Sequence, residues 1–378
     1  MAAGWEIGSR NDVTKGIMSL GIMKKLLLAI LATTALAACS DHTIDATPNV
    51  AIEFGDLKTR AAINNADEIL QFGVYAQMNL AGDNDTSVDG NGNPLNTTFI
   101  DLLSNEKVSR VDAASPWTYT NTRYWVDDRT FRFFAYCPYL ENGSKSEQIG
   151  LWKIEPTLIS DKDGYALSFT TPDAADADFI TAFEPVVTVT NQENYPTVDF
   201  EFEHELTKVS LKIWRDGAKN KNDEMYLKSV EFTGVKKSGI FYTSIFNDVE
   251  DNWTYGTETM QLSETYTTAV QLGAATIGEN STIQGNGTVA PFSELILIPQ
   301  TLSGSKISIV YEHHRDGASE RETKKIDIQL PPATTWRAGQ NIVYNVLLSD
   351  VKDITLYYIQ TTISAWGTPQ TGGTVIIK

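Results

Sequence analysis

The sequence Val198-Asp199-Phe200-Glu201-Phe202 alternates strictly between apolar and acidic residues. Successive side chains of a β-strand point to opposite faces of a sheet, so this pattern predicts a strand with one buried face and one solvated face. The stretch at residues 208–214 alternates in the same way. These two alternating stretches are the starting point for interpreting the chain as an all-β protein.

Further strands are expected on both sides of this stretch. Short runs rich in Val, Ile, Thr, Tyr, Phe and Trp are separated by turn signals. They lie at residues 50–57, 69–78, 117–119, 129–136, 165–170, 178–182, 226–232, 240–246, 293–298, 306–311, 324–330, 340–348 and 357–365. No segment shows a convincing helical period over three turns. The spacing of these runs predicts a β-sandwich architecture.

Chain length and a polar stretch near Asn191 favour a division into two domains. About 340 residues follow the export signal described below, which is more than one domain of typical size needs. We place the boundary near Asn191. The expected organisation is an N-terminal β-sandwich at residues 61–190 and, in tandem with it, a C-terminal β-sandwich at residues 191–378.

Composition excludes several classes of partner and site. The formal net charge is -18 at pH 7, which opposes binding to nucleic acid and to anionic lipid headgroups. The sequence contains 2 cysteines, and one of them, Cys39, belongs to the export signal. A framework of intrachain disulfides and a cysteine-rich metal site are therefore both excluded.

A secretory signal is expected at residues 23–38. Two lysines after Met23 precede a short apolar run that ends in small residues, and the run is too short to span a bilayer as a permanent helix. Leu36-Ala37-Ala38-Cys39 resembles the bacterial lipobox, in which the bond between Ala38 and Cys39 is cut and Cys39 is lipidated. The alternative is an ordinary signal peptide in which Cys39 is incidental. Residues 1–22 are interpreted as an upstream extension and Met23 as the true start.

A tether and a removable strand are expected at residues 39–60. The polar segment at residues 40–50 is interpreted as the tether, and residues 50–57 alternate as a half-buried strand does. That strand ends just before Thr59-Arg60-Ala61, where a basic residue stands among small ones. The alternative interpretation is that Arg60 is an ordinary basic residue in an exposed linker.

Candidate catalytic and metal-binding residues are few. His204 lies between two glutamates in a strand, where a structural or turn-capping role is favoured, and His313-His314 is expected at a solvated hairpin tip. The loop at residues 82–96 resembles a calcium loop in composition but lacks the glutamate that an EF-hand requires at its twelfth position. The sequence shows no phosphate-binding glycine loop and no Ser or Cys nucleophile motif. We expect no enzyme activity, no cofactor and no metal.

The order of these features resembles the fimbrillins, the lipoprotein pilus subunits of Bacteroides-type anaerobes. The resemblance rests on the signal and lipobox, the strand before Thr59-Arg60-Ala61, and several further stretches. These are Phe72-Gly73-Val74-Tyr75-Ala76, Tyr124-Trp125, residues 131–138, Asp178-Phe179-Ile180-Thr181-Ala182, residues 198–209 and Ile363-Ser364-Ala365-Trp366-Gly367. Each motif is weak alone, and their order carries the resemblance.

The resemblance implies a fold and an assembly mechanism. It implies two transthyretin-like β-sandwich domains, an outer-membrane precursor anchored through lipid on Cys39, and an arginine-specific protease that cuts between Arg60 and Ala61. Loss of the preceding strand, with Ile52, Phe54 and Leu57 as its plugging residues, would open a groove for a strand of another fimbrial subunit. The candidate donor strand lies at residues 374–378, with Val375, Ile376 and Ile377 as its apolar residues. The product would be a cell-surface fimbrium that supports adhesion to a host or bacterial surface ligand, in a stalk, tip or anchor role.

A different class of protein competes with this interpretation. A lipid-anchored carbohydrate-binding protein would stay whole and monomeric and would stack exposed aromatic rings on sugars. Trp117, Trp125, Trp253 and Trp336 are the candidate platform, although tryptophans at strand positions more often belong to a core.

Overall fold

The computed structural model describes residues 50–59, 69–79, 99–141, 150–159, 162–189, 195–244, 253–331, 334–351 and 354–366. Within these ranges the chain consists of β-strands, turns and one short 3-10 helix, Glu279–Ser281. The expected all-β fold is confirmed. No helix in these ranges is long and apolar enough to cross a membrane.

Eight strands precede residue 205. They are β1 (Phe54–Thr59), β2 (Gln71–Asn79), β3 (Phe99–Ser109), β4 (Arg129–Cys137), β5 (Leu151–Ile159), β6 (Lys162–Thr170), β7 (Ile180–Val189) and β8 (Val198–His204).

Fourteen strands follow in the described part of the chain. They are β9 (Thr207–Asp216), β10 (Glu224–Lys236), β11 (Ser238–Ser244), β12 (Trp253–Tyr255), β13 (Thr259–Gln271), β14 (Ala274–Ile277), β15 (Ile283–Gly285), β16 (Val289–Leu297), β17 (Gln300–Thr301), β18 (Lys306–His314), β19 (Glu322–Gln329), β20 (Thr335–Trp336), β21 (Gln340–Val351) and β22 (Ile354–Ala365).

The first half of the fold is built on a six-stranded sheet in the order β1-β8-β7-β4-β2-β3. Strand β4 is apolar on both faces: Phe131 and Phe133 enter one core, and Phe134 and Tyr136 enter a second one. The second core is shared with the four-stranded sheet β12-β11-β6-β5, which is packed against this face. A strand buried on both sides needs apolar residues at consecutive positions, which explains the unbroken apolar run at residues 133–136 of β4.

The second half is a sandwich of two sheets. One has the order β13-β10-β18-β19, and the other has the order β15-β14-β9-β21-β22 with β16 also paired to β9. Alternate residues of β9, β10, β18 and β21 meet in one apolar core between them. This is the packing that the alternation at residues 208–214 predicts.

Strand pairing crosses the expected domain boundary at residue 191. Strand β8 pairs with β7 and β1, and β11 pairs with β6 along Ser238–Ser244. A chain divided at residue 191 would therefore separate paired strands. Alternation marks a strand but carries no information about its partner, so the sequence pattern could not assign these strands to a sheet.

Candidate functional site

Strand β1 lies at the edge of the six-stranded sheet and pairs there with β8. The two strands run parallel, with Phe54 opposite Val198 and Thr59 opposite Phe202. The register shifts between Phe54 and Leu57. Strand β8 pairs with β7 only near its far end, so β1 is the main partner of its first five residues.

The register shift is fixed by the carboxylate of Asp199 on β8. The backbone N–H of Asp56 donates a hydrogen bond to Asp199 Oδ1 at 2.9 Å. A Cβ atom on Gly55 would lie 2.1 Å from the same oxygen, which is closer than non-bonded atoms approach. Glycine is therefore required at residue 55 for the carboxylate to reach the backbone.

The residues just before β1 are held from the other side by the segment at residues 119–125. The N–H of Ile52 donates to the carbonyl of Arg123 at 2.8 Å, and the N–H of Trp125 donates to the carbonyl of Val50 at 3.0 Å. The hydroxyl of Tyr119 donates to the carbonyl of Ile52 at 2.9 Å. Residues 50–53 are thus held by hydrogen bonds to the segment at residues 119–125.

This holding segment is itself fixed to β3. The carboxylate of Glu106 accepts hydrogen bonds from the backbone N–H groups of Thr120 and Asn121 and from the Asn121 side chain, at 3.0, 3.1 and 2.7 Å. Arg123 Nε donates to the carbonyl of Leu102 at 2.8 Å. The wall that receives the start of the N-terminal strand is therefore anchored independently of that strand.

Ile52 and Phe54 are buried in the N-terminal core, with exposed fractions of 1% and 7%, and Leu57 is half-buried against it. The ring of Phe54 is stacked on Phe200 at 6.0 Å between centroids and meets Tyr119 edge-on at 5.4 Å. All three residues that sequence reasoning named as plugging residues thus contact the core. Fully burying one such side chain contributes about 1.5–3 kcal/mol relative to leaving it exposed.

The surface beneath β1 is aromatic. Phe72 contacts both Phe200 and Phe202, with ring centroids 5.8 and 5.9 Å apart, and it meets Phe54 edge-on at 6.0 Å. These three rings are almost fully buried while β1 is in place. Without β1 they would form the floor of an open apolar groove along the free edge of β8.

A cleft of about 540 Å³ lies beside β1. It is lined by residues 54–57, Arg110 and residues 113–117. The Arg110 guanidinium lies over the ring of Trp117 at 4.4 Å. Strand β1 therefore both pairs with β8 and borders an open cleft.

Most of the remaining predicted site residues lie outside the described part of the chain. These are Ala38 and Cys39 of the signal, Arg60 and Ala61, and the candidate donor residues Val375, Ile376 and Ile377, and the loop at residues 82–96 lies there too. Strand β1 ends at Thr59, the residue immediately before Arg60. The strand therefore runs two residues beyond the end expected at Leu57 and reaches the residue before Arg60.

The last residue that the structure describes is buried and fixed by two contacts. Trp366, 6% exposed, is stacked on the ring of His204 at 4.0 Å with an interplanar angle of 4°, and its N–H donates to the carbonyl of Gly339 at 2.7 Å. His204 Nδ1 lies 2.7 Å from Asp178 Oδ2, and burial raises the pKa of that carboxyl. The structural role expected for His204 is confirmed, since it links the end of β22 to the loop before β7.

Most of the tryptophans lie in the core, as strand tryptophans more often do, whereas the expectation for His313 needs correction. Trp125, Trp253 and Trp336 are buried, so they cannot form an exposed platform for sugars, while Trp117 is half-buried under Arg110. His313 is not solvated: it is 1% exposed, within 3.1 Å of Asp223 Oδ2 and 3.3 Å of Asp350 Oδ2. The expected hairpin is present between β18 and β19, but its base is buried.

Sequence reasoning implies a groove but does not identify the residues that build it. The alternation predicts a solvated side chain for Asp199 and gives no role to Tyr119 or Glu106, although these residues fix the register and the wall. The only available signal was the apolar alternation shared by residues 50–54 and 198–202. In the part of the chain that the structure describes, no group of three or more His, Cys, Asp or Glu side chains is placed to hold a metal ion.

Fold and site together define a class: all-β proteins whose first strand occupies a sheet edge and covers an aromatic groove. The fimbrillin-like family matches residues 59–366, and the chain belongs to this family of fimbrial structural and adhesion proteins. It is 26% identical over 250 residues to the fimbrium subunit Fim1C of Phocaeicola vulgatus, an alignment that spans 61% of each chain. The fold is similar to the crystal structure of a fimbrial protein from Bacteroides vulgatus, with a TM-score of 0.56, 18% identity and coverage of 84% of this chain and 100% of that one.

Proposed function

We propose that the chain is a subunit or accessory component of a cell-surface fimbrium and that it assembles by strand exchange at the β1 groove. In this proposal the precursor is exported by its signal, cut between Ala38 and Cys39, and held at the outer membrane by lipid on Cys39. An arginine-specific protease then cuts between Arg60 and Ala61. Strand β1 leaves, and a strand of another fimbrial subunit takes its place and supports a fibre that adheres to a host or bacterial surface ligand.

One observation carries the proposal: β1 is an edge strand that plugs a core and ends directly before Arg60. A cut after Arg60 severs β1 from the rest of the chain while leaving β2 to β22 covalently intact. An internal strand could not be removed in this way, because it would be paired on both sides.

Removing β1 leaves a surface that favours a replacement strand. Loss of the buried side chains of Ile52 and Phe54 removes about 3–6 kcal/mol of burial free energy, at about 1.5–3 kcal/mol for each side chain. The edge of β8 also loses its parallel partner from Phe54 to Thr59. A donated strand with apolar residues at matching positions would restore both the pairing and the burial.

The candidate donor is residues 374–378, with Val375, Ile376 and Ile377 in an apolar run. Trp366, the last described residue before this segment, is held by its ring stack and its backbone hydrogen bond. Eight residue steps separate Trp366 from Thr374, which allows an extended span of at most about 26–29 Å. The donor could therefore reach a neighbouring subunit while its own fold stays intact.

The test compares two variants after treatment with an arginine-specific protease. The chain from Ser40, which contains the whole compact unit Val50–Lys378, is treated alongside Arg60→Ala and Arg321→Ala. Arg321 is 45% exposed in its side chain and serves as a control for cleavage at another arginine. Mass spectrometry reports the new N-terminus, and an unboiled denaturing gel reports polymers.

The proposal predicts that wild type and Arg321→Ala are trimmed to Ala61 and form a ladder, whereas Arg60→Ala stays whole and monomeric. Trimming without a ladder would assign the chain a tip role and reject self-assembly. If Arg60 resists the protease in every sample and the protein remains a monomer, strand exchange is rejected and a carbohydrate-binding lipoprotein becomes the better hypothesis.

A further inference from the structure

Strand β22 forms a free edge of the second sandwich. It is 12 residues long, pairs with β21 along its whole length without a register shift, and has no other strand of the described chain beside it. An edge strand exposes unpaired backbone N–H and C=O groups along one side. Residues 354–364 of β22 therefore present a long, regular row of backbone hydrogen-bonding groups on the side away from β21.

Other edges in the described residues are blunted. Strands β3, β5 and β19 carry charged side chains, and β5 and β16 contain a proline. Strands β1 and β13 have register shifts, and β12 and β15 are 3 residues long. Charge, proline, bulges and short length are the devices by which proteins prevent edge-to-edge association.

Strand β22 has none of these devices. Its sequence, ITLYYIQTTISA, contains no charged residue, no proline and no glycine. Ile354, Leu356 and Ile363 are 60%, 42% and 40% exposed, although each is a β-branched or aliphatic residue suited to burial in a sheet. An uncharged, regular, apolar edge of this length is typical of a strand that pairs with another one.

We propose that two copies of the chain associate through β22, with the two free edges paired antiparallel about a two-fold axis. A second copy fits this edge better than an unrelated partner because both strands then lack charge. Elsewhere the net charge of -18 makes copies repel one another, so contact is favoured where a surface carries no charge. Two-fold symmetry also needs only one self-complementary patch.

Such a pair would join the six-stranded sheets of the two copies into one continuous sheet and would not involve the β1 groove. It would link subunits side by side, whereas strand exchange would link them end to end. The inference therefore goes beyond the proposed function. It holds or fails independently of cleavage at Arg60.

The experiment measures the association of the chain from Ser40 carrying Arg60→Ala, in which the proposed strand exchange is blocked. Sedimentation velocity over a dilution series should show a monomer–dimer equilibrium. Leu356→Lys and Ile363→Lys should each weaken the dimer at least about tenfold, since every substitution occurs twice across the axis. Val126→Lys, at a residue that is also 40% exposed, should leave the equilibrium unchanged.

A second measurement fixes the contact and its orientation. In a Cys137→Ser background, single cysteines at Tyr357, Thr361 and Lys325 are oxidised under mild conditions. At least one β22 cysteine should form a disulfide between copies, because an antiparallel pair brings residues near the axis opposite themselves. Lys325→Cys on β19 should not, since it lies at another edge.

Three results would overturn the proposal. The first is a monomer at every concentration. The second is equal dimerisation of all three lysine variants. The third is a dimer that disappears when residues 374–378 are deleted but survives Leu356→Lys, because the occupant of the contact would then be the tail and not β22.

Discussion

Strands β1 and β22 are both edge strands, but different interactions hold them in their sheets: mainly core side chains for β1, and backbone pairing for β22. Strand β1 pairs in parallel with β8 over a short, shifted register and relies on Ile52 and Phe54 in the core. Strand β22 pairs with β21 over twelve consecutive rungs and leaves Leu356 and Ile363 exposed. A strand that is paired over a short register and inserts side chains into a core can be exchanged for another that offers similar side chains, whereas a strand paired along twelve residues stays in its sheet.

The largest expected effect on stability is at β1, the edge strand that depends on its core side chains. Phe54→Ala should lower the free energy of unfolding of the uncut chain by about 3–5 kcal/mol, because it leaves a cavity among aromatic rings. Leu356→Ala, the matched change on β22, should cost less than about 1 kcal/mol. Urea denaturation of both variants measures the difference, and equal losses would break the comparison between the two edges.

The next largest effect concerns the register of β1. Gly55→Ala places a Cβ against Asp199 Oδ1 and should destabilise the chain by about 1–3 kcal/mol. The double variant Gly55→Ala/Asp199→Ala should recover part of that loss, because the clashing oxygen is gone. A double-mutant cycle measures the coupling, and strictly additive effects would show that Asp199 does not set the register.

A smaller effect is expected at the wall that holds residues 50–53. Tyr119→Phe removes the hydroxyl that bonds the Ile52 carbonyl and should cost about 0.5–1.5 kcal/mol at neutral pH. Burial raises the pKa of Tyr119 above its ordinary value of 10.0. The folded state then favours the neutral phenol, so its contribution is complete below pH 10 and is lost as pH rises through the folded pKa.

Denaturation of wild type and Tyr119→Phe across alkaline pH isolates this contribution from that of the other tyrosines. The gap in stability between the two proteins should narrow as the pH rises above 10.0. A difference in unfolding free energy that does not change with pH would show that the hydrogen bond donated by the Tyr119 hydroxyl does not stabilise the strand.

The smallest effect is expected on the exposed edge. Leu356→Lys should change the unfolding free energy of the monomer by no more than about 0.5 kcal/mol, because the side chain is partly solvated and makes no polar contact to lose. Measurement at a dilution where only monomer is present separates this from any effect on association. A large loss would place Leu356 in the core and remove the contrast with Phe54.

Much of the secondary structure followed from the sequence, because alternation is a local signal. Residues 198–202 and 208–214 form strands as predicted, and Ile52 and Phe54 point inward as their spacing requires. The alternation places Leu57 on the opposite face from Phe54, yet both contact the same core because the shift at Gly55 reverses the faces.

Partner choice could not be predicted in the same way. Nothing in residues 54–59 indicates a parallel partner at residues 198–202, because a pairing between distant segments depends on how the whole core closes. The burial of His313 had a similar cause. Asp223 reaches it from the turn before β10 and Asp350 from β21, and neither is close to it in sequence.

The stack of Trp366 on His204 has a mechanical consequence. In a fibre joined through the chain beyond residue 366, tension would enter each subunit at this ring and at the bond from its N–H to Gly339. A pull directed along β22 would load all twelve of its residue pairs with β21 in shear instead of opening them one after another. A subunit loaded in this direction would yield at a higher force than one that is peeled from the end of a strand.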